Sequence, residues 1–375
     1  MTEQNGSRRL HIGILGCRGI PNHYGGYEQF AEYLACGLVR KGHQVGVYIS
    51  SLHPYAADSW RGVRLIRRQD PENRLGAFGQ FIYDLNCLRD ARRRKFDVLL
   101  QLGYTSSAVW YPVWPADARN IVHLDGLEWK RSKYNYPVRQ FLKWMEKLVT
   151  RRADALIADS PVIKNYTRET YRCHSELIAY GAETAIQPDL KHLEKMGLEP
   201  GNYLLAISRF VPENNLELIL EGHRNSDCAR PLIVIGNAGN RYGAWLTGRY
   251  ASPVIRFPGP IYDKPVLDSL RAYAGLYLHG HSVGGTNPSL LEAMACRVPI
   301  CAHRNDFNAA VLGPDAYYFR DSREVSQIIS NFERQAAPEG WTEANFRKIQ
   351  TDYQWPVIVD RMEKLFFKVL DESRR

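Results

Sequence analysis

Short apolar strands alternate with amphipathic helices along nearly the whole chain, and that order limits the fold more than any other feature. The chain opens with HIGILG (11–16), then a glycine- and proline-rich loop, a periodic helical stretch QFAEYLACGLVRKG and a second apolar run QVGVYIS. Strand, helix, strand is the unit from which parallel sheets grow. FDVLLQLG, RNIVHLDG and ADALIADS continue the series as strands, with a helix predicted around Val138 to Val149. A second series begins near residue 202. NYLLAISRF, PLIVIGN, VIRFPGP, GLYLHG and VPICAH read as strands, and NLELILEGHRN and KPVLDSLRAYA as helices between them.

The expected fold class is therefore α/β with two Rossmann-like domains, 1–185 and 186–355, followed by a C-terminal helix over 356–375. Their join is placed in the stretch Gly181 to Pro200, where the sheet pattern breaks. The final helix is expected to pack back on the first domain. Ligands of open α/β sheets sit at the carboxyl ends of the strands, so two such domains are expected to face each other across a ligand cleft.

Composition narrows the partners. The 375 residues carry a net charge of +9 with a pI near 9.1, which favours nucleotide phosphates, nucleic acid or an acidic membrane surface. No nucleic-acid reader motif is present, and basic residues cluster only between 130 and 152, so nucleic acid is not expected. Seven cysteines without a Cys-x-x-Cys pair point to a reducing compartment and away from a zinc site. The longest uncharged run, Val98 to Ala116, holds polar residues and two prolines and would span a membrane poorly. The expectation is a soluble cytoplasmic protein, at most peripheral on a membrane.

Three loops carry the candidate chemistry. Gly13, Gly16 and Gly19 are spaced G-x-x-G-x-x-G, and the loop runs on through Gly25 and Gly26 before its helix begins. A tight dinucleotide turn needs its helix at once, so NAD or FAD is not expected. In HGHSVGGTNPSLLEAMA (279–295), Gly284, Gly285 and Thr286 precede a helix N-terminus, a natural anion site. They either cap that helix or clear room for a phosphate. Arg209 ends the strand NYLLAISRF, where a guanidinium could grip a diphosphate. Glu292 sits one turn into the helix, favourable through the dipole alone or able to bridge two ribose hydroxyls. In HLDGLEWKRSKY, Asp125 and Glu128 could do acid–base work or form a capping box, with His123, Lys130 and Arg131 beside them.

A helical segment follows. Val138, Phe141, Leu142, Met145, Leu148 and Val149 share one face, and Lys130, Arg131, Lys133, Arg139, Lys143, Lys147, Arg151 and Arg152 stand against Glu146 alone. A basic amphipathic helix of this kind suits either an anionic membrane or an ordinary packed face with a solvated side.

HSVGGTNPSLLEAMA followed by VPICAH resembles the nucleotide-sugar signature of family 4 retaining glycosyltransferases, which have the GT-B fold. That signature has two glutamates eight positions apart; Glu292 fills the second place and Gly284 stands in the first. RGIPNHYGGYE, HLDGLEWKRSKY, ISRFVPENNLEL, IGNAGNRYG and GPIYD, in this order, are similar to a bacterial subgroup of rhamnosyltransferases that build surface polysaccharides. The resemblance runs from about residue 11 to 320. It implies a nucleotide-sugar donor as substrate, no cofactor, no metal and a lipid-linked saccharide acceptor. By position it implies that Gly284, Gly285 and Thr286 hold the donor diphosphate with Arg209 as cation, and that Asn287 and Ser289 also bind the donor. Glu292 would hold the ribose, Gly25 and Gly26 would approach the donor from the other domain, and Asp125 and Glu128 would serve the reaction. His123, Lys130 and Arg131 fall on the acceptor side. The lysine that usually follows the arginine is missing, its loop holding Asn214 and Asn215. An epimerase on the same fold is the rival reading, distinguished by its needing no acceptor.

Overall fold

Both strand series close into sheets. The structure, a computed structural model, describes residues 8–372 apart from 24, 125, 132–133, 185 and 335–336. Contacts divide the chain into two units, Met1–Trp129 with Tyr134–Ala179 and Trp355–Arg375, and Lys130–Lys133 with Tyr180–Gln354.

The first unit holds β1 (His11–Leu15), β2 (Gln44–Ser50), β3 (Ser59–Trp60), β4 (Val63–Arg68), β5 (Val98–Leu102), β6 (Arg119–Leu124), β7 (Ala155–Ala158) and β8 (Glu176–Leu177). They form one sheet in the order β3-β4-β2-β1-β5-β6-β7-β8. Only the short β3–β4 pairing is antiparallel. Its helices are α1 (Gly26–Arg40), α2 (Glu72–Leu75), α3 (Gly79–Arg94), α4 (Tyr136–Arg152) and α5 (Pro161–Tyr171). β5 is buried along its whole length, as expected of a central parallel strand covered by helices on both faces.

The second unit holds β9 (Leu204–Ile207), β10 (Leu232–Ile235), β11 (Ile255–Gly259), β12 (Leu276–His279), β13 (Ile300–His303) and β14 (Tyr317–Phe319). These pair in parallel in the order β11-β10-β9-β12-β13-β14. Its helices are α6 (Lys191–Glu194), α7 (Leu216–Arg224), α8 (Arg241–Tyr250), α9 (Lys264–Ala272), α10 (Pro288–Ala295), α11 (Asp306–Leu312), α12 (Ser322–Arg334) and α13 (Trp341–Lys348). Leu204, Leu232, Leu276, Ile219 and Val325 sit in one buried cluster between the sheet and its helices.

The last helix, α14 (Trp355–Glu372), belongs to the first unit. Trp355 stacks on Tyr33 of α1 with ring centroids 4.6 Å apart, and His43 Nε2 meets Glu363 Oε1 at 2.8 Å. Lys41 reaches both Asp360 and Glu363 at 2.7 Å.

Helix starts follow local chemistry. Asn135 caps α4 by accepting from Val138 N, Ser160 caps α5 by accepting from Ile163 N, and proline stands at the first or second position of both. The cap of α4 is Asn135, not the Asp125 of the capping box considered above. Glu128 instead opens a single 3-10 turn, Glu128–Lys130, and α4 begins eight residues later. Asp125 lies outside the described residues.

On α4, Leu142, Met145 and Val149 are buried as the stripe predicts. Glu146, counted among the surface charges, is buried with them: Tyr104, Tyr166 and Tyr171 donate their hydroxyls to its carboxylate at 2.9, 2.7 and 2.7 Å. Val138, expected on the apolar face, is exposed.

Candidate functional site

The six-stranded sheet reverses its strand order between β9 and β12, which pair with each other. At such a reversal the two outgoing connections diverge and leave a crevice at the carboxyl ends of the strands. Arg209, exposed, lies just after β9, and Gly284, Gly285 and Thr286 follow β12.

The two loops are stapled together. Asn215 Nδ2 donates to the Gly280 carbonyl at 2.8 Å, and Ser282 donates to the Glu213 carbonyl through Oγ at 2.8 Å and through its backbone N–H at 3.1 Å. Asn214 Nδ2 donates to the Arg209 carbonyl at 2.8 Å, and a Cβ on Gly280 would collide with the Asn214 carbonyl. The asparagines found in place of the expected lysine thus fix the backbone that presents Arg209.

The start of α10 shows which residue caps it. Asn287 caps the helix, its side chain accepting from Ser289 N at 2.9 Å, and Pro288 follows. Ser289 Oγ is 2.7 Å from the hydroxyl of the buried Tyr277. Capping therefore falls to Asn287. Gly284 has φ +123°, a conformation L side chains rarely adopt, with nothing within 4 Å of where a Cβ would stand. That is an open approach to a helix N-terminus. The backbone also explains why no glutamate occupies this place, since a side chain here would be strained.

Burial keeps the two histidines of HGHSVGG, His279 and His281, neutral. His279 stacks on His281 with centroids 4.5 Å apart and lies against Tyr277 at 6.1 Å. Burial, then the charges of Arg209 and Arg131, lower His281 to about 3, and burial with its histidine neighbours lowers His279 strongly. Neither ring nitrogen of His279 has a hydrogen-bond partner among the described residues. Positive potential at His281 comes from Arg209 and Arg131, not from imidazolium.

Glu292 is 16% exposed at its side chain and accepts from Arg271 Nη2 at 2.5 Å. Arg271, on α9, is almost wholly buried and also lies 3.4 Å from Asp268. Asp268 in turn pairs with Lys264, which is 3.2 Å from Glu183. Sequence reading missed Arg271; the available signal was a pair of charged residues, Asp268 and Arg271, inside an otherwise core-facing helical pattern.

In the first unit, the strand order reverses between β1 and β5. Gly25 is the N-cap of α1 and Gly26 its first residue, three positions earlier than the helical pattern predicts. A carboxylate of the chain itself lies beside this helix start. The buried Glu28 carboxylate accepts from Arg18 N at 2.7 Å; burial raises its pKa, opposed by the Arg18, Glu28 and Gly25 backbone N–H groups. His123, at the end of β6, is fully buried with its ring edge-on to Tyr27 and Phe30, and burial lowers it to about 3. Glu128 accepts from the Tyr134 hydroxyl at 2.9 Å. Lys130 is exposed and Arg131 half-buried, both in the segment counted with the second unit.

Around the β1 and β5 loops lie groups no short motif reveals. Arg18 Nη1 bonds Asp70 at 3.0 Å, and Asp84, fully buried, accepts from Ser106 Oγ and from Gln80 Nε2. Burial pushes Asp84 up to about 6. These residues are distant in sequence and meet only through the sheet.

Among the described residues, no group of three or more His, Cys, Asp or Glu is arranged to hold a metal, and no helix is long and apolar enough to cross a membrane.

Similarity to known proteins fits this geometry. The fold is that of GT-B glycosyltransferases. The structure matches sucrose-phosphate synthase from Thermosynechococcus elongatus at 17% identity and TM-score 0.82, covering 97% of this chain and 100% of that one. It matches Anabaena HepE in complex with UDP and glucose at 15% identity and TM-score 0.73, over 96% and 100%. Trehalose 6-phosphate synthase from Burkholderia multivorans matches at 13% and 0.70, over 98% of both chains. Residues 113–183 match a domain of unknown function, DUF1972. No curated protein sequence matches significantly.

Proposed function

We propose that this chain is a glycosyltransferase that moves a hexose from a nucleoside-diphosphate sugar. The observation that carries the reading is the paired loop system at the β9/β12 reversal, with exposed Arg209 on one loop and the open Gly284 approach to α10 on the other. A guanidinium carried on a fixed backbone and a helix N-terminus together suit a diphosphate leaving group. In this reading Gly284, Gly285, Thr286 and Arg209 hold the diphosphate, while Asn287 and Ser289 fix the helix start. Glu292, oriented by Arg271, takes the ribose, and the loop of Gly25 and Gly26 is a second donor-binding loop. Asp125, Glu128, Lys130 and Arg131 serve the acceptor and the reacting sugar, while the fully buried His123, a neutral imidazole, packs against Tyr27 and Phe30 rather than touching either substrate directly.

The finer reading follows the motif resemblance: a family 4 enzyme of the rhamnosyltransferase subgroup, acting with retention and without cofactor or metal. Its donor would be dTDP-L-rhamnose and its acceptor a lipid-linked saccharide at the inner face of the cell membrane. The domain division it supposes is 1–185 and 186–355, with the helix 356–375 returning to the first domain.

Thermal shift against UDP, dTDP, GDP and their sugars tests the donor, because a ligand of the folded state raises stability by mass action. Stabilisation by dTDP-rhamnose above the other donors is the expected result. Stabilisation by UDP-glucose instead would replace the sugar and keep the class. No response to any nucleoside diphosphate would overturn the reading, as would conversion of the donor to an epimer without an acceptor.

A further inference from the structure

The outer side of α4 and the start of α3 carry large side chains that nothing in the fold covers. Phe78 is 64% exposed and Trp144 61%. Between them the rings run in a line. Phe78 stacks on Phe81 at 5.9 Å, Phe81 lies 6.3 Å from Phe141, and Phe141 lies 6.5 Å from Trp144. The Trp110 indole N–H donates to the Phe81 carbonyl at 2.8 Å, which fastens the ridge to the segment between the two helices.

Charge along α4 is sorted. Tyr136, Gln140, Trp144, Lys147 and Arg151 are exposed and recur at helical spacing, so they share one outward strip. Aromatic residues occupy its first half and cations its second. Arg152, next in line, lies 4.9 Å over the half-exposed Tyr111 ring. The one carboxylate of the helix, Glu146, is buried and bonded to three tyrosines. The carboxylates of α3 are likewise withdrawn, Asp84 by burial and Asp90 by Arg68 and Arg94. An exposed aromatic ridge beside cations, with every helix carboxylate turned away, is complementary to an apolar layer under an anionic surface.

We propose that Phe78, Phe81, Phe141 and Trp144 enter the headgroup layer of an anionic bilayer while Lys147, Arg151 and Arg152 meet the lipid phosphates. This deepens the reading of a lipid-borne acceptor and rests on it, and it assigns the membrane contact to a face that includes α3 as well as the basic helix.

The full chain is sedimented with phosphatidylcholine vesicles and with vesicles that also contain phosphatidylglycerol, at low and high salt. Wild type should pellet only with the anionic vesicles, and less at high salt. Phe78→Ser with Trp144→Ser should weaken partition by about tenfold or more, the scale of two lost apolar insertions, with an unchanged melting temperature. Lys147→Glu with Arg151→Glu should abolish the low-salt binding. Wild type remaining in the supernatant, or variants that pellet like wild type, would overturn the proposal. So would a wild-type dimer that the aromatic variant converts to a monomer while vesicle binding is unaffected, since the ridge then covers a second copy. Thermal shift with UDP and dTDP on the same proteins separates the two readings. Lost pelleting with nucleotide binding retained bears on this face alone, whereas pelleting without any nucleotide response removes the donor reading and leaves the face.

Discussion

Arg271 Nη2 donates to Glu292 Oε2 at 2.5 Å from beneath α10, with 3% of the arginine side chain exposed. One partner is buried and the other keeps 16% of its side chain exposed. Arg271→Met removes the cation from between Glu292 and Asp268 and should cost about 3–5 kcal/mol of stability, the scale for breaking a buried ion pair. Glu292→Gln keeps the shape and should lose less stability. It should weaken nucleoside diphosphate binding by about 1.5–3 kcal/mol, as for a hydrogen bond to a charged group. Calorimetric titration with UDP and dTDP, beside thermal melts, measures both. Because dTDP lacks the 2′-hydroxyl, the loss should be larger for UDP. Equal affinities of variant and wild type would leave Glu292 as Arg271's partner only.

Arg209 is exposed and supports no core contact, so Arg209→Ala should leave the melting temperature unchanged. Affinity for a nucleoside diphosphate should fall by about 2–3 kcal/mol, while affinity for the nucleoside stays the same. A parallel loss for both ligands would mean that the loop, rather than the charge, had been disturbed. His281 supplies an internal check: with one of its neighbouring charges gone, its imidazole should titrate higher than about 3, though still below the ordinary range because burial is the larger cause. NMR titration of the ring reads this directly.

Gly284→Ala tests the backbone at the helix start. Space is not the obstacle, since nothing lies within 4 Å of the new methyl. The φ of +123° is, and an alanine forced there should cost about 1–3 kcal/mol in chemical denaturation. A stability equal to wild type would show that the loop relaxes easily, and with it the preformed approach to α10 would go.

How far these features could be read from sequence depends on what each residue is doing. β1, β5, β9 and β12 are short, mostly apolar runs between helical stretches, and the alternation alone reveals them. β4 was not expected. Its VRLIRR pattern reads as a charged loop because Arg67 spends its guanidinium on the Ser50, His53 and Tyr55 carbonyls and Arg68 on Asp90. Such compensation is invisible without the partners. In the loop before α10 the small residues were legible, but their division of labour was not. That Asn287 caps while Gly284 stays open depends on dihedral angles, which residue types do not fix. Glu146 shows the opposite failure. A lone acid in a basic helix looks like a surface charge until Tyr104 and two tyrosines of α5 are seen to surround it.

Asp84 offers a pH test of the first unit. Its carboxyl is buried and raised to about 6 from an ordinary 3.8, with burial the largest cause and Ser106 and Gln80 opposing it. A carboxyl raised in the folded state favours the protonated form there. Its contribution to stability is fully present below the unfolded value near 3.8 and is lost as pH climbs through about 6. Wild type should therefore lose stability between about pH 4 and 6 from this group, on the order of 3 kcal/mol if it acted alone. Asp84→Asn can still bond Ser106 and carries no proton to lose, so its stability should be flatter across that window and higher than wild type at neutral pH. Denaturant melts of both proteins at several pH values measure the difference. If the two curves run parallel, the carboxyl ionises in the fold without cost, and another group must be compensating it.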